Sequence, residues 1–201
     1  MTHHEVMAEL AALGTEQNRT VYPRHGVREP FFGVSFANID KLAKGVGTDH
    51  PLAVSLWESG NHDARMLAVR IADARELTAK VADMWVRGCD NYIAAETLAG
   101  LVARSEGGAG RAKAGRARKG AWVARGGWNI TTRHTMDGTL DDQACRALIE
   151  QIARELPARP NRVRHEMNMT LIAIGSRGSV DLKKRVLAVA RVLGPVQVDH
   201  G

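Results

Sequence analysis

The feature that most constrains the fold of this chain is the spacing of its apolar residues at three and four positions, which is the period of an α-helix. Strand-type alternation is hard to find along the 201 residues. Ser35, Asp49 and Asn61 stand where helices are expected to begin, and their side chains are good N-caps. The sequence therefore predicts an all-α protein, with helices over about 4–13, 37–44, 50–58, 61–71, 76–87, 90–104, 119–136, 140–155, 161–174 and 180–193.

Short connections determine how these helices pair. Most of the predicted turns contain about two to five residues, so consecutive helices lie antiparallel and side by side. Pairs stacked in order form an α-solenoid, whose concave face suits an elongated ligand. Sequence identity between the pairs is too low to identify a repeat, and a closed helical bundle remains an alternative. We expect residues 1–201 to form a single domain.

The positive charge of the chain is concentrated in residues 107–136. The whole protein has a net charge of +6, and without the seven cations of this segment it would be left with about −1. The segment contains no Asp or Glu. A basic segment interleaved with aromatic residues is typical of proteins that bind DNA or RNA. The seven cations are Arg111, Lys113, Arg116, Arg118, Lys119, Arg125 and Arg133.

The second half of this segment has helical spacing. Steps of three and four residues predict one helical stripe that is a poor core and a good docking surface, formed by Arg118, Trp122, Arg125, Asn129 and Arg133. Five glycines interrupt the first half, and each lowers helix propensity by up to about 1 kcal/mol. We therefore expect that half to be a mobile basic loop.

Several classes of protein are excluded by composition. No run of about 18 apolar residues is present for a membrane span, and the N-terminus lacks the apolar core of a signal peptide. Cys89 and Cys145 are widely separated, and the histidines lack the spacing of metal ligands. We expect a cytoplasmic, nucleoid-associated monomer without a metal, a cofactor or a membrane partner. Trp57 and Trp85 lie on apolar helix faces and are predicted to be core.

Three segments carry a resemblance to a known family. They are His-Gly-Val-Arg-Glu-Pro-Phe-Phe-Gly-Val-Ser at 25–35, Asp-Asn-Tyr-Ile-Ala-Ala-Glu at 90–96, and the ending from 168–175 through 194–201. Together they resemble the bacterial DNA alkylation repair family, which is built of HEAT-like repeats. The resemblance covers almost the whole chain and implies a solenoid with a concave basic face that grips duplex DNA.

The resemblance also implies site residues. Active members of the family are DNA glycosylases for alkylated purines such as 3-methyladenine and 7-methylguanine. Their Trp and Asp, four residues apart on one helix, match Tyr92 and Glu96 here. A phosphate-binding Arg matches Arg125, and a second Trp falls near Met169. The chain therefore departs from the family pattern at three positions, with Tyr for Trp, Glu for Asp and Met for Trp.

The chemistry of alkylated purines explains these roles. An N3- or N7-alkylated purine is already a cationic leaving group, so the enzyme mainly stabilises the positive charge that develops on the deoxyribose. A carboxylate does this electrostatically and orients the attacking water, and aromatic faces attract the same cation. We therefore predict Glu96 and Tyr92 as catalytic residues, without a metal ion. The predicted DNA contacts are Arg125, Arg118, Arg133, Trp122, Asn129, Lys119 and Arg116.

Two alternatives remain open from the sequence. The altered block is also compatible with a non-catalytic DNA-binding paralogue that recognises DNA structure. Stacked helical repeats commonly bind other proteins, so a protein-binding scaffold is the third possibility. The affinity of a phosphate-binding protein falls steeply with salt. For each phosphate neutralised, the logarithm of the binding constant falls by about 0.9 per tenfold increase in salt. This salt dependence separates the third possibility from the other two.

Overall fold

A computed structural model describes residues 1–198. These residues form twelve α-helices and two short 3₁₀ helices, Tyr22–His25 and Leu156–Ala158. The α-helices are α1 His3–Leu13, α2 Glu16–Val21, α3 Phe36–Val46, α4 His50–Glu58, α5 His62–Ile71, α6 Ala79–Gly88, α7 Tyr92–Arg104, α8 Gly108–Arg116, α9 Ala121–Met136, α10 Asp142–Glu155, α11 Asn161–Arg177 and α12 Val180–Leu193. The all-α prediction is confirmed. Residues 199–201, the end of the third segment of resemblance, lie outside the described residues.

Helix starts follow the capping residues of the sequence. The side chains of Ser35, Asp49 and Asn61 each accept a hydrogen bond from a backbone N–H in the first turn of α3, α4 and α5. Thr78 caps α6 in the same way, so that helix begins three residues later than its apolar pattern predicts. A side-chain oxygen at this position satisfies one of the four free N–H groups of a helix start.

The chain divides into two compact units, Met1–Glu106 and Gly107–Gly201, called here the N-terminal and C-terminal units. In the N-terminal unit the rings of Trp57 and Trp85 stack with centroids 4.5 Å apart and planes 8° apart. Both are buried, as predicted. Stacked aromatic rings add roughly 0.5–1.5 kcal/mol to the gain from burial, so this pair joins α4 firmly to α6.

A buried carboxylate holds the loop that contains the first segment of resemblance. Asp63 is fully buried and accepts backbone N–H groups from Phe32, Gly33 and Val34 at 2.6, 3.0 and 3.0 Å. The hydroxyl of Tyr22 donates to the carbonyl of Val34. Three donors on one carboxylate satisfy its buried charge. The loop is therefore fixed to α5, and this segment has a structural role.

The C-terminal unit has a core of its own. It is built around α9, whose Trp128 is fully buried among residues of α10, α11 and α12, including Ile152, Met167 and Leu182. Burying a large side chain contributes about 1.5–3 kcal/mol. This core fixes the inner face of α9 and thereby determines which of its residues reach the surface.

The Gly-rich first half of the basic segment is helical, and the expectation of a mobile loop was wrong. Residues Gly108–Arg116 form α8, which packs closely on α9. A Cβ on Gly127 would lie 2.4 Å from the backbone nitrogen of Arg116, and one on Gly115 would lie 2.9 Å from the Cα of Gly127. Glycine at these positions lets the two backbones approach, and the packing outweighs the low helix propensity of glycine.

Candidate functional site

One candidate site, in the N-terminal unit, is the N-terminus of α7. The side chain of Asn91 caps this helix by accepting the N–H of Ala94 at 2.9 Å, so that Tyr92 is the first helical residue. Tyr92 is half-buried, and its hydroxyl lies 2.8 Å from Nδ1 of His25. The two rings meet edge to face, with centroids 6.1 Å apart. His25 therefore fixes the direction of the Tyr92 hydroxyl.

Glu96 lies one helical turn beyond Tyr92 on the same side of α7, as the spacing of four predicts. Its side chain is exposed. Among the residues that the structure describes, it makes no hydrogen bond and no ion pair. The Glu96 carboxylate is therefore accessible to a ligand, and no cation of the described residues forms an ion pair with it. Its predicted role in catalysis stays a prediction.

A buried histidine supports this end of α7 from below. His62 is 4% exposed, its Nδ1 lies 3.5 Å from Nδ2 of Asn91, and the ring of Tyr22 meets it edge-on at 5.3 Å. Burial lowers the pKa of His62, and the carboxylates of Asp63 and Asp90 only partly oppose this effect. Burial also raises the pKa of Tyr22, and the negative charge of Asp63 raises it further. A neutral imidazole therefore lies beneath the cap of α7.

A separate candidate site is in the C-terminal unit, where Arg125 is buried. Nε and Nη2 of Arg125 donate to Oε1 of Glu166 at 3.1 and 3.0 Å, and the two side chains are 3% and 5% exposed. The sequence predicts Arg125 on a docking surface, but the structure places it inside, bridging α9 and α11. The spacing along α9 contains no information about Glu166, which lies 41 residues further along the chain.

Asn129 is also more buried than the stripe predicts, at 7% exposure. A second polar link joins the same two helices nearby, because the hydroxyls of Thr132 and Thr170 are 2.7 Å apart. The face of α9 that the sequence assigns to DNA is thus partly covered by α11. Direct contact of Arg125 and Asn129 with DNA stays a prediction, but neither offers a large surface.

Trp122 of α9 does reach the surface, with 45% of its area exposed. It lies in the first turn of α9, and the guanidinium of Arg125 lies over its ring, 5.8 Å from the centroid. Arg118 and Lys119 are exposed in the turn before α9, and Arg133 is exposed near its end. We call Arg118, Lys119, Trp122 and Arg133 the exposed basic face.

Arg116 is used mainly inside the unit. Its Nη1 donates to the hydroxyl of Thr131 at 2.5 Å, and its guanidinium lies over the ring of Trp128 at 5.3 Å. Its carbonyl accepts a hydrogen bond from Arg159 at 2.5 Å. Burial lowers the pKa of Arg116, although Glu155 opposes this. Arg116 is half-buried, and its predicted contact with DNA also remains a prediction.

Met169, which matches the second family Trp, is 38% exposed on α11. It lies one residue before Thr170, whose hydroxyl is linked to Thr132 on α9. The position therefore faces outward close to the contact between the two helices, but it presents a thioether and not an aromatic ring. A flexible apolar side chain fills space and cannot stack as a rigid plane.

A sequence profile of DNA alkylation repair enzymes matches residues 6–190. The chain belongs to this family. Relatives of this DNA alkylation repair family member include an uncharacterized protein of Listeria innocua, 24% identical over 212 residues, with all of this chain and 90% of the relative covered. An uncharacterized protein of Listeria monocytogenes is 24% identical over 219 residues, with the same coverage.

A solved structure gives a TM-score of 0.91 with this family member at 26% identity, covering 99% of this chain and 86% of the other. That protein is described as part of a new family related to the HEAT-like repeat DNA glycosylases, with affinity for branched DNA structures. The predicted resemblance and the all-α fold of HEAT-like helix pairs are confirmed.

No helix in residues 1–198 is long and apolar enough to cross a lipid bilayer. The same residues contain no group of three or more His, Cys, Asp or Glu side chains arranged to hold a metal ion.

Sequence reasoning missed three residues that organise the two candidate sites of this family member. Asp63, His25 and Glu166 each act on a partner between 29 and 67 residues away. Asp63 and Glu166 are charged residues on helices whose other buried residues are mostly apolar. A charged residue among apolar neighbours is the sequence signal that could have identified them. His25 gives no such signal, because it is an exposed residue at the end of the 3₁₀ helix Tyr22–His25. Its partner Tyr92 lies 67 residues further along the chain.

Proposed function

We propose that this DNA alkylation repair family member binds DNA of altered structure, such as branched DNA, through the exposed basic face. The observation that carries the proposal is an acid-free segment of thirty residues whose exposed cations, including Arg118, Lys119 and Arg133, accompany an exposed indole. Clustered cations attract phosphates and steer a polyanion, and an aromatic plane among them suits a nucleotide. The affinity of the structural relative for branched DNA supports the same conclusion.

In this proposal the buried Arg125 and the half-buried Arg116 organise the face, and the exposed cations contact phosphate. The charge of Arg125 is balanced by Glu166, so its attraction for a distant phosphate is reduced. The guanidinium of Arg125 also lies over the indole of Trp122 and supports it there. Arg116 similarly lies over Trp128 and supports the packing of α8 on α9. Both arginines act as positioning residues for the surface.

Glycosylase activity on alkylated purines is the second candidate, and one observation favours it. Glu96 is exposed one turn from Tyr92, whose hydroxyl is held by His25. Such a carboxylate can lie against a deoxyribose and stabilise its developing positive charge. The replacement of Asp by Glu moves the carboxylate by one methylene, and a displacement of about 1 Å can cost on the order of 100-fold in rate. We therefore place DNA binding first and excision second.

The binding proposal is tested by neutralising the exposed cations. We expect the variant Arg118→Gln/Lys119→Gln/Arg133→Gln to lose at least tenfold in affinity for a four-way DNA junction, because each cation releases counterions from the phosphates. A matched control is Arg146→Gln/Arg185→Gln, which removes two surface arginines that pair with Asp181. Equal affinity of both variants for the junction would remove the exposed basic face from DNA binding.

The excision candidate is tested by the release of 7-methylguanine from methylated duplex DNA. If Glu96 stabilises the deoxyribose cation, Glu96→Gln should lose release on the order of 100-fold or more. Tyr92→Phe keeps the ring and removes the hydroxyl that lies against His25, so it should retain most of the release. Absence of release by the wild type eliminates the glycosylase reading. Equal release by wild type and Glu96→Gln removes Glu96 from the mechanism.

A further inference from the structure

Trp122 differs from the other tryptophans of this protein. Trp57, Trp85 and Trp128 are 3%, 0% and 0% exposed, whereas Trp122 is 45% exposed. An indole is among the largest apolar side chains, and leaving it at the surface forgoes the gain of burial. Its surroundings are cationic, and residues 107–136 contain no carboxylate side chain. The position therefore has the features of a binding residue and not of a core residue.

The ring of Trp122 is held in place from one side. Arg125 lies over it at 5.8 Å, and the guanidinium of Arg125 is fixed by two hydrogen bonds to Glu166. A buried, doubly bonded guanidinium presents a rigid plane, which restricts the rotation of the indole against it. The exposed area of Trp122 then belongs to the parts of the ring that Arg125 does not cover. A fixed, half-exposed aromatic plane binds another flat ring with little loss of conformational entropy.

We propose that Trp122 stacks on an unpaired base at a DNA branch or flap, while Arg118 and Lys119 hold the phosphates next to that base. The inference rests on the proposed DNA binding and names the feature of the DNA that is recognised. In a continuous duplex the faces of the bases are covered by their neighbours, so a stacking residue has no partner there. Phosphates are available in both kinds of DNA, and cations alone do not distinguish them. Trp122 therefore supplies the preference for branched DNA.

Affinity measurements on two DNA molecules test this inference. One is a three-way junction with unpaired thymidines at the branch, and the other is a continuous duplex of equal length. Trp122→Ala should weaken binding to the junction on the order of 10- to 100-fold, the usual effect of losing one aromatic stack, and leave duplex binding nearly unchanged. Trp122→Phe should recover most of the loss. The control Val123→Ala removes an exposed apolar neighbour and should change neither affinity.

Fluorescence gives an independent readout, because the other three tryptophans are buried. Stacking on a base should quench the emission of the wild type with the junction and not with the duplex, and Trp122→Phe should show no such quenching. Junction affinity unchanged in Trp122→Ala, or an equal loss on both DNA molecules, overturns the inference while the proposed function stands. Failure of the wild type to bind either DNA overturns both.

Discussion

The contact of Arg125 with Glu166 is the residue-scale feature on which the candidate DNA surface most depends. It joins α9 to α11 through two hydrogen bonds in a buried setting, and it supports the ring of Trp122. Burying two charges is costly, and only their mutual satisfaction makes the arrangement stable. The pair therefore contributes position and specificity more than net stability.

Substituting either Arg125 or Glu166 should show how strongly the fold depends on this pair. We expect Arg125→Met and Glu166→Leu each to lower the free energy of unfolding by about 3–5 kcal/mol, because each leaves the partner buried without its counter-charge. The double variant Arg125→Met/Glu166→Leu should recover most of the loss. Urea unfolding of the four proteins gives the coupling energy, and additive losses in the double variant would contradict the pairing.

Asp63 is the corresponding residue in the N-terminal unit. Asp63→Asn keeps the shape but places an NH₂ group against one or more of the N–H groups of Phe32, Gly33 and Val34. We expect a loss of about 2–3 kcal/mol in the free energy of unfolding, because a charge-assisted hydrogen bond is replaced by opposed donors. Glu9→Gln, at an exposed position on α1, is the control and should change stability by less than about 0.5 kcal/mol. Equal stability of both variants would contradict the role assigned to the loop.

The contact of α8 with α9 shows how glycines act at the scale of elements. The helices meet where Gly115 faces Gly127, and no side chain separates their backbones there. This approach places Trp122 and Arg133 on a helix with two packed neighbours, α8 and α11. The surface that carries the proposed function is therefore supported on both sides within the C-terminal unit.

A pair of alanine substitutions tests this packing. Gly127→Ala should lower the free energy of unfolding by at least about 1–3 kcal/mol, because its Cβ would lie 2.4 Å from the nitrogen of Arg116. Gly110→Ala, within α8, meets nothing within 4 Å and should be neutral or stabilising by up to about 1 kcal/mol. Thermal unfolding of both variants is the measurement, and a harmless Gly127→Ala would refute the close approach.

These elements also indicate what a single sequence can predict. Apolar periodicity and the caps at Ser35, Asp49 and Asn61 are local, so helices α3 to α5 follow from the sequence. Helix α8 does not, because its stability depends on a partner helix that a propensity scale cannot represent. The same limit applies to the site. The stripe on α9 is local, whereas the burial of Arg125 depends on Glu166 in α11.

At the scale of the whole molecule, each unit contains a histidine, the buried His62 or the half-buried His134, that is easier to keep neutral than charged. Burial lowers the pKa of His62 in the N-terminal unit and of His134 in the C-terminal unit. The folded protein therefore binds fewer protons than the unfolded chain near the ordinary histidine pKa of about 6.5. Stability that is present above that pH is lost as the pH falls below it.

A pH series checks this linkage. Urea midpoints of the wild type should fall between about pH 7.5 and pH 5.5, since the unfolded chain takes up protons that the folded protein excludes at His62 and His134. The variant His62→Gln should reduce the slope of stability against pH, although it loses some stability at neutral pH. An unchanged slope would show that His62 titrates normally in the folded protein.

The net charge of +6 comes from the cations of residues 107–136, so the attraction of the molecule for DNA depends on this segment. The salt dependence of DNA binding measures that attraction most directly. Seven cations are present in residues 107–136, but Arg125 is buried and Arg111 and Arg116 are half-buried, which leaves Lys113, Arg118, Lys119 and Arg133 exposed. We therefore expect the logarithm of the junction-binding constant to fall against the logarithm of salt concentration with a slope between about −3 and −4. Arg133→Gln should reduce its magnitude by about one, and Arg125→Met should leave it unchanged. A slope near zero would contradict phosphate binding by this segment.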